Sequence, residues 1–371
     1  MKRLLVFAIV FLSMVASAHD FNDGTFAYDI KDSTSVIIFA LDNNAISGDV
    51  IIPDHVTYNG KEYIVKKIGK KAFYYSQNVT NIYIPNTVTT IDNYAFYGCG
   101  AMKTITIPVS VHTVGSQVFS SLRTVYWNAK HTSGALDAFS SNSRVDKIVF
   151  GNTVEVIPSY ICNNFKNITT VTIPNSVKTI GMNAFSGCSN LMTVVIGNSV
   201  TTINDYAFQD CRCLYNIKIP NSVTSIGQYA FNNCGGLKTV TLGKSLTFLG
   251  NNCFNGCENL KTIICKPQTP PTATDCFMPI HSVSVTLTVP TGCSDAYKNS
   301  DDWKRLLFVE EKEFLYLEGD INDDEKVDGV DLNNLINHIL GNDLWPNADL
   351  NHNGSIDGTD LNQMINTILG Q

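Results

Sequence analysis

Oxygen-bearing side chains recur at a fixed spacing, twice, near the C-terminus of this 371-residue chain. Asp320, Asn322, Asp324, Asp328 and Asp331 stand at loop positions one, three, five, nine and twelve. Asp349, Asn351, Asn353, Asp357 and Asp360 repeat the pattern 29 residues later. The backbone carbonyls of Lys326 and Ser355, at position seven, complete each set. Hard oxygens at this spacing suit Ca2+, which takes roughly six to eight of them. Without the ion the clustered carboxylates would repel one another. Two departures from the ordinary calcium loop bear on affinity. Position twelve is Asp rather than Glu, and position six of the first loop is Glu325, whereas the second loop keeps Gly354 for its sharp turn. The first site is therefore expected to be strained or weaker than the second.

Each loop must be positioned by the segment on its C-terminal side. Leu332, Leu335, Ile336, Ile339 and Leu340 fall at i, i+3, i+4, i+7 and i+8, as do Leu361, Met364, Ile365, Ile368 and Leu369. Gly341 and Gly370 end the two runs. This spacing predicts two amphipathic helices with glycine stops. Loop then helix, twice, with no helix entering either loop and Asp at position twelve, resembles a type I dockerin across all of residues 318–371. The resemblance implies two Ca2+ sites and docking onto a cohesin-like module through ion-ordered helices. It also implies recognition positions at each loop end and on the following helix: Gly329, Val330, Ile336 and Asn337, matched by Gly358, Thr359, Ile365 and Asn366. That family commonly carries Ser or Thr at both loop-end positions, and here only Thr359 conforms. Ile336 and Ile365 have two readings, packing the helices together or meeting a partner. The near-symmetry of the halves suggests two interchangeable binding orientations.

The remainder of the chain is organised by repetition. An aromatic recurs at Phe73, Phe96, Phe119, Phe139, Phe185, Phe208, Phe231, Phe254 and Phe277, with Cys162 in the one missing slot. Every step is 23 residues except the 20 from Phe119 to Phe139. A period of this size predicts a stacked solenoid, because a single unit cannot bury its own apolar side. Within one copy, Leu191, Val194 and Ile196 follow a leucine-rich spacing and alternate like a short strand. Gly or Pro then ends the run, Val177 and Ile180 form a second apolar pair, and Ala184-Phe185 turns an aromatic inward. Strands stacked about 4.8 Å apart would make one parallel ladder on the order of 45 Å long. The recurring I-P-x-S-V-x-x-I-G-x-x-A-F-x-x-C resembles the BspA-like leucine-rich repeats of bacteria, from about Val65 to Pro290.

The expected fold class is thus a β-rich leucine-rich-repeat solenoid with a 23-residue period, a parallel ladder and caps, followed by a small all-α calcium-binding dockerin-like domain. The expected boundaries are a signal peptide at 1–18, an N-terminal β cap at 19–63, repeats at 64–290, a C-terminal cap at 291–317 and the dockerin-like domain at 318–371. Lys2 and Arg3 ahead of the apolar Leu4 to Val15, then Ala16-Ser17-Ala18, predict export. That apolar run is too short to span a bilayer. Within 19–63, short strands are expected at Phe26 to Ile30, Val36 to Leu41 and Val50 to Pro53. In the closing cap, Tyr297 and Trp303 are expected as anchors, with a helix from about Ser294, read as its N-cap, to Lys298.

Charge and cysteine usage narrow the function. Net charge is −7, but ten of the 33 acids and one of the 26 bases lie in 319–371, so that tail is −9 and the rest +2. A near-neutral body offers no footprint for nucleic acid. Eleven cysteines in an exported chain invite a disulfide reading. The register favours buried thiols instead, because Cys99, Cys188, Cys211, Cys234 and Cys257 share one column three residues after the aromatic, and Cys253 and Cys276 sit where other copies have Ala. Parallel side chains one rung apart sit wider than a bridge prefers. Outward strand positions are mostly Thr, which strand propensity alone explains, or which form a broad, weakly charged surface for a protein or glycan. Neither paired carboxylates nor a Ser-His-Asp arrangement recurs in register, so no catalytic residue is assigned. The expected function is non-catalytic: an exported adhesion or interaction protein whose solenoid meets a host or bacterial surface protein or a glycan, and whose tail docks to a cohesin-type module. The alternative, suggested by what dockerins usually carry, is a component of a polysaccharide-degrading, cellulosome-like complex. A calcium-stabilised stalk without a partner is the third reading.

Overall fold

The computed structural model describes residues 19–133, 137–139, 144–277, 285–314, 320, 327, 329–339, 350 and 357–369. One coil explains the others. Thr170–Ile173 is a strand whose residues alternate exposed and buried, so Val171 and Ile173 face the core while the threonines face out. Pro174 ends it, and the next residues tie coil to coil. The Ser176 hydroxyl donates to the Val154 carbonyl at 2.7 Å, and Asn175 Oδ1 accepts the Asn198 N–H at 2.7 Å. A two-residue strand follows at Thr179–Ile180. The chain then turns around the buried Phe185 through Asn183 (φ 53°) and Gly187 (φ 74°). Left-handed residues two places either side of the aromatic recur along the stack, as at Tyr206 and Asp210 around Phe208. Such backbone favours Gly, Asn and Asp.

The coils stack as two parallel ladders, where the spacing predicted one. The second runs through Lys61–Ile68, Thr90–Ile91 and Thr113–Val114 and again through the two-residue strands Val156–Ile157, Thr179–Ile180, Thr202–Ile203, Ser225–Ile226 and Phe248–Leu249. The first is interrupted as well. Gly48–Ile51 and Val79–Tyr83 form one piece, Thr104–Ile107, Thr124–Trp127 and Lys147–Phe150 a second, Thr170–Ile173 and Thr193–Ile196 a third, and Asn216–Lys218 through Thr239–Leu242, Thr262–Cys265, Thr286–Pro290 and Phe308–Lys312 a fourth. Thr124 still pairs with Thr104 in register across the 20-residue step, so the three missing residues come out of the turn and leave the ladder intact.

Inside, the aromatics form a column. Phe185, Phe208 and Phe231 stack with ring centroids 5.2 Å apart at each step, and Phe254 follows at 5.3 Å. Each such contact contributes about 0.5–1.5 kcal/mol beyond burial. At the coil where Cys162 takes the aromatic slot, the ring is displaced rather than lost. Phe165 occupies the position three residues on, where other coils carry Cys, and meets Phe139 edge-on at 5.2 Å. Trp303 closes the column 5.1 Å from Phe277, its indole N–H donating to the Pro271 carbonyl at 2.7 Å.

Both caps are β-rich. Phe21–Asn22, Phe26–Ile30 and Ser35–Ala40 run antiparallel, and Ser35–Ala40 then pairs parallel with Lys61–Ile68, which hands the sheet over to the coils. His55–Tyr58 joins Lys61–Ile68 as a hairpin through Asn59-Gly60, both at positive φ, the backbone that a tight two-residue hairpin requires. At the other end helix α1 (Ser294–Asn299) starts one residue away from the expected place. Cys293 is its N-cap and makes no side-chain capping bond; the Glu311 carboxylate instead accepts the Ser294 N–H at 3.0 Å. A tertiary acceptor has taken over the capping role. Tyr297 and Trp303 are both fully buried.

Candidate functional sites in the tail and on the ladder face

The tail folds around two helices, α2 (Gly329–Ile339) and α3 (Gly358–Leu369). Among the described residues they share a core of Leu335, Leu350 and Met364, flanked by Val327, Leu332, Leu361 and Ile368. Leu335 and Met364 are equivalent residues of the two halves, so the duplication is expressed as a symmetric packing. The position-twelve carboxylates are wholly buried: Asp331 and Asp360 each have 0% of their surface exposed, and Asp320 is also buried. Asp360 Oδ1 accepts the Leu350 N–H at 2.8 Å and Oδ2 the Asp357 N–H at 2.9 Å. Thus Asp360 ties Leu350 and Asp357 to the start of α3. Asp357 is exposed, and its Oδ1 accepts both the N–H and the hydroxyl of Thr359 at 2.8 Å. Burying carboxylates is costly unless charge is compensated, and a hard-oxygen set of this kind fits Ca2+.

Asn322, Asp324, Lys326, Asp328, Asp349, Asn351, Asn353 and Ser355 lie outside the described residues. Among the described residues no three metal-ligating side chains converge. Of the recognition positions, Gly329, Gly358 and Thr359 are exposed and Asn366 is half-buried. Val330 and Asn337 lie on α2, with side chains outside the described set. Ile336 and Ile365, 36% and 37% exposed, stay out of the helix–helix core of the described residues.

The ladder face is less bland than its threonines suggest. Tyr83, Tyr126, Met192, Val195 and Tyr215 stand exposed among them, and Lys238 Nζ lies 4.6 Å from the centre of the Tyr215 ring. His131, in the irregular stretch after Trp127, contacts Glu155 at 2.9 Å, and Lys130 reaches the same carboxylate at 2.7 Å. Lys130 foremost holds Glu155 below its usual range. This is an exposed ion-pair cluster of modest energetic weight.

The cysteine column has a second role that sequence alone does not disclose. Each thiol donates to a backbone carbonyl of the preceding coil, 26 residues back: Cys188 to Cys162, Cys211 to Phe185, Cys234 to Phe208 and Cys257 to Phe231, at 3.1 to 3.3 Å. Cys serves there as a compact apolar residue that also satisfies a buried acceptor. All eleven cysteines are free, nine of them buried. Burial pushes the Cys188 and Cys257 thiols up to about 12 and several others well above their ordinary value, which suits structural rather than nucleophilic sulfur.

These features define a leucine-rich-repeat solenoid followed by a small domain of paired loops and helices. The chain belongs to the BspA type of leucine-rich-repeat proteins: that repeat region matches residues 66–192 and 179–302, in six copies, and a dockerin type I domain matches residues 318–369. Dockerin type I domains bind calcium and cohesins, and both families are interaction modules typical of extracellular or cell-surface bacterial proteins. Among solved structures, a leucine-rich repeat protein from Bacteroides ovatus is 22% identical, covers 80% of each chain and superposes with a TM-score of 0.47. A leucine-rich cell surface protein from Faecalibacterium prausnitzii is 22% identical over 79% of this chain and 94% of its own, at 0.34. The pneumococcal vaccine antigen PcpA is 15% identical over 78% and 96%, at 0.38. No curated protein matches the chain. No helix among the described residues is long and apolar enough to cross a membrane.

Proposed function

We propose that this is an exported, non-catalytic adhesion or interaction protein that presents its solenoid as a binding surface and is held in place by calcium-dependent docking of its tail to a cohesin-type module. The observation that carries the docking half is the matched exposure of Ile336 and Ile365 on two helices that bury Leu335 and Met364 in a shared core. Two Ca2+ ions, one per loop, would order these helices: Asp320, Asn322, Asp324, Lys326, Asp328 and Asp331 hold the first, and Asp349, Asn351, Asn353, Ser355, Asp357 and Asp360 the second. Gly329, Val330, Ile336, Asn337 and their counterparts Gly358, Thr359, Ile365 and Asn366 then form two equivalent recognition faces. The test is capture of cohesin modules by the full chain, with and without chelator. Binding that needs calcium, survives Ile336→Asp or Ile365→Asp alone and is lost in the double substitution supports two orientations. Capture that ignores chelator, or that one substitution abolishes, refutes that part of the reading.

A further inference from the structure

Two of the first ladder's breaks lie beside valines on the solenoid's outer face. No ladder pairing joins Lys147–Phe150 to Thr170–Ile173, or Thr193–Ile196 to Asn216–Lys218, among the described residues. A groove of about 690 Å³ runs across these four strands, in the size range of ligand clefts. Its outward positions include Val149 and Val195, in register with Tyr126 and Thr172 on their paired strands, and Val195 is 54% exposed. Ile148, Phe150, Val194 and Ile196, core residues on the near side of each break, also line it. Lys147 lies at one end and Lys218 at the other, and no carboxylate is among its lining residues.

From this arrangement, which rests on reading the solenoid as a binding surface, we infer that the groove receives an extended polypeptide segment that places apolar side chains on Val149 and Val195 and acidic ones toward Lys147 and Lys218. Valines between two lysines suit an extended chain whose alternating side chains are apolar and acidic; Asn152, Asn175 and Asn198 also line the groove, which makes a glycan the competing outcome of the test. Three rung steps of about 4.8 Å, plus the two-residue offset of Lys218 along its strand, separate the lysines by about 16 Å, or about five residues of extended chain. The expected motif is two acids about five positions apart with apolar residues alternating between them.

The experiment pans the full chain against a random peptide library displayed on phage and measures the enriched peptides by fluorescence anisotropy. Enriched sequences should carry the acid–apolar pattern and weaken as salt rises. Val195→Glu, at an exposed position that leaves the core untouched, should weaken binding at least about tenfold. The double reversal Lys147→Glu and Lys218→Glu should lose the acidic peptides and accept those with Lys in their place, an exchange that misfolding cannot produce. Tyr83→Ser, on the same face beyond the groove, should change nothing. Peptides without acids, or binding indifferent to Val195→Glu, overturn the inference. If binding is lost in Tyr83→Ser and kept in Val195→Glu, the ladder face remains a binding surface and the groove assignment alone fails. No enrichment, with an anionic oligosaccharide array bound through Val195 and the lysines instead, replaces the peptide by a glycan.

Discussion

The exchange of Cys162 and Phe165 between the aromatic and thiol columns is a testable piece of covariation within one chain. Restoring the common pattern by Cys162→Phe and Phe165→Cys separates two effects. Phe165 is buried, so Phe165→Cys alone removes a ring from the core and should cost about 3 kcal/mol, near the lower end for truncating a buried Phe. Cys162 is fully buried beneath the turn, so Cys162→Phe alone overpacks its slot while Phe165 still fills the neighbouring space, at about 1–3 kcal/mol. The double variant moves the ring from edge-on contact with Phe139 to the stacked geometry seen from Phe185 to Phe208. It also regains two column contacts of about 0.5–1.5 kcal/mol each. It should therefore lie within about 1 kcal/mol of the parent, a favourable coupling of roughly 4–6 kcal/mol. Urea unfolding of the four proteins, followed by tryptophan fluorescence and far-UV circular dichroism together, measures it; agreement of the two probes checks that the array unfolds as one unit. Additive costs, with coupling under about 0.5 kcal/mol, would refute the claim that the two columns share one volume.

Other outcomes depend on the same geometry. Chelation of the full chain should diminish the helical signal of α2 and α3 and leave the solenoid's transition in place, and calcium at about a hundred times its dissociation constant should restore about 2.7 kcal/mol per site; unchanged helices after chelation would remove the ion from the tail. Asp360→Ala should weaken calcium uptake at least about tenfold by freeing Leu350 and Asp357 from the start of α3, as measured by titration calorimetry. Glu311 is held at about 2, below its ordinary value, by the backbone N–H of Gly292 and by Ser294. A depressed carboxylate contributes stability above its unfolded value and loses it as pH falls toward the folded one, so the closing cap should loosen between about pH 4.5 and 2, and Glu311→Gln should flatten that part of the profile. A thiol reagent on native protein should modify the exposed Cys213 first and Cys293 more slowly, reaching the buried nine only on unfolding; rapid reaction of the column would contradict its burial.

The period was legible because every coil carries the same demand: an inward strand, a turn and an aromatic, spelled out in residues such as Val194, Pro174 and Phe185. The second ladder was not, because Thr179–Ile180 is too short to show alternation, and a single apolar pair reads as a turn. The thiol bonds escaped for a different reason. Each spans 26 residues, and Cys in an apolar column looks like packing until the carbonyl it faces is known. In the tail, the loop spacing and helix periods carried the reading. The choice between packing and partner for Ile336 and Ile365, by contrast, depends on which residues the two helices bury against each other, and both halves of the sequence offer the same candidates for that role.

The two parts of the chain draw on different sources of stability, and this bears on how they can work together. Each coil of the solenoid is held by neighbours above and below, through stacked rings, thiol and hydroxyl bonds to the preceding coil and ladder pairing, so its order depends on nothing added from outside. Among the described residues the tail buries Leu335, Leu350 and Met364 between two short helices, and its ten acids repel one another. Neutralising that charge with an ion would favour the ordered tail. Calcium concentration would then govern attachment while leaving the binding face unaltered. A permanently ordered surface on a conditionally ordered anchor is what an interaction protein needs if it must keep its ligand specificity in every medium but be retained in only some.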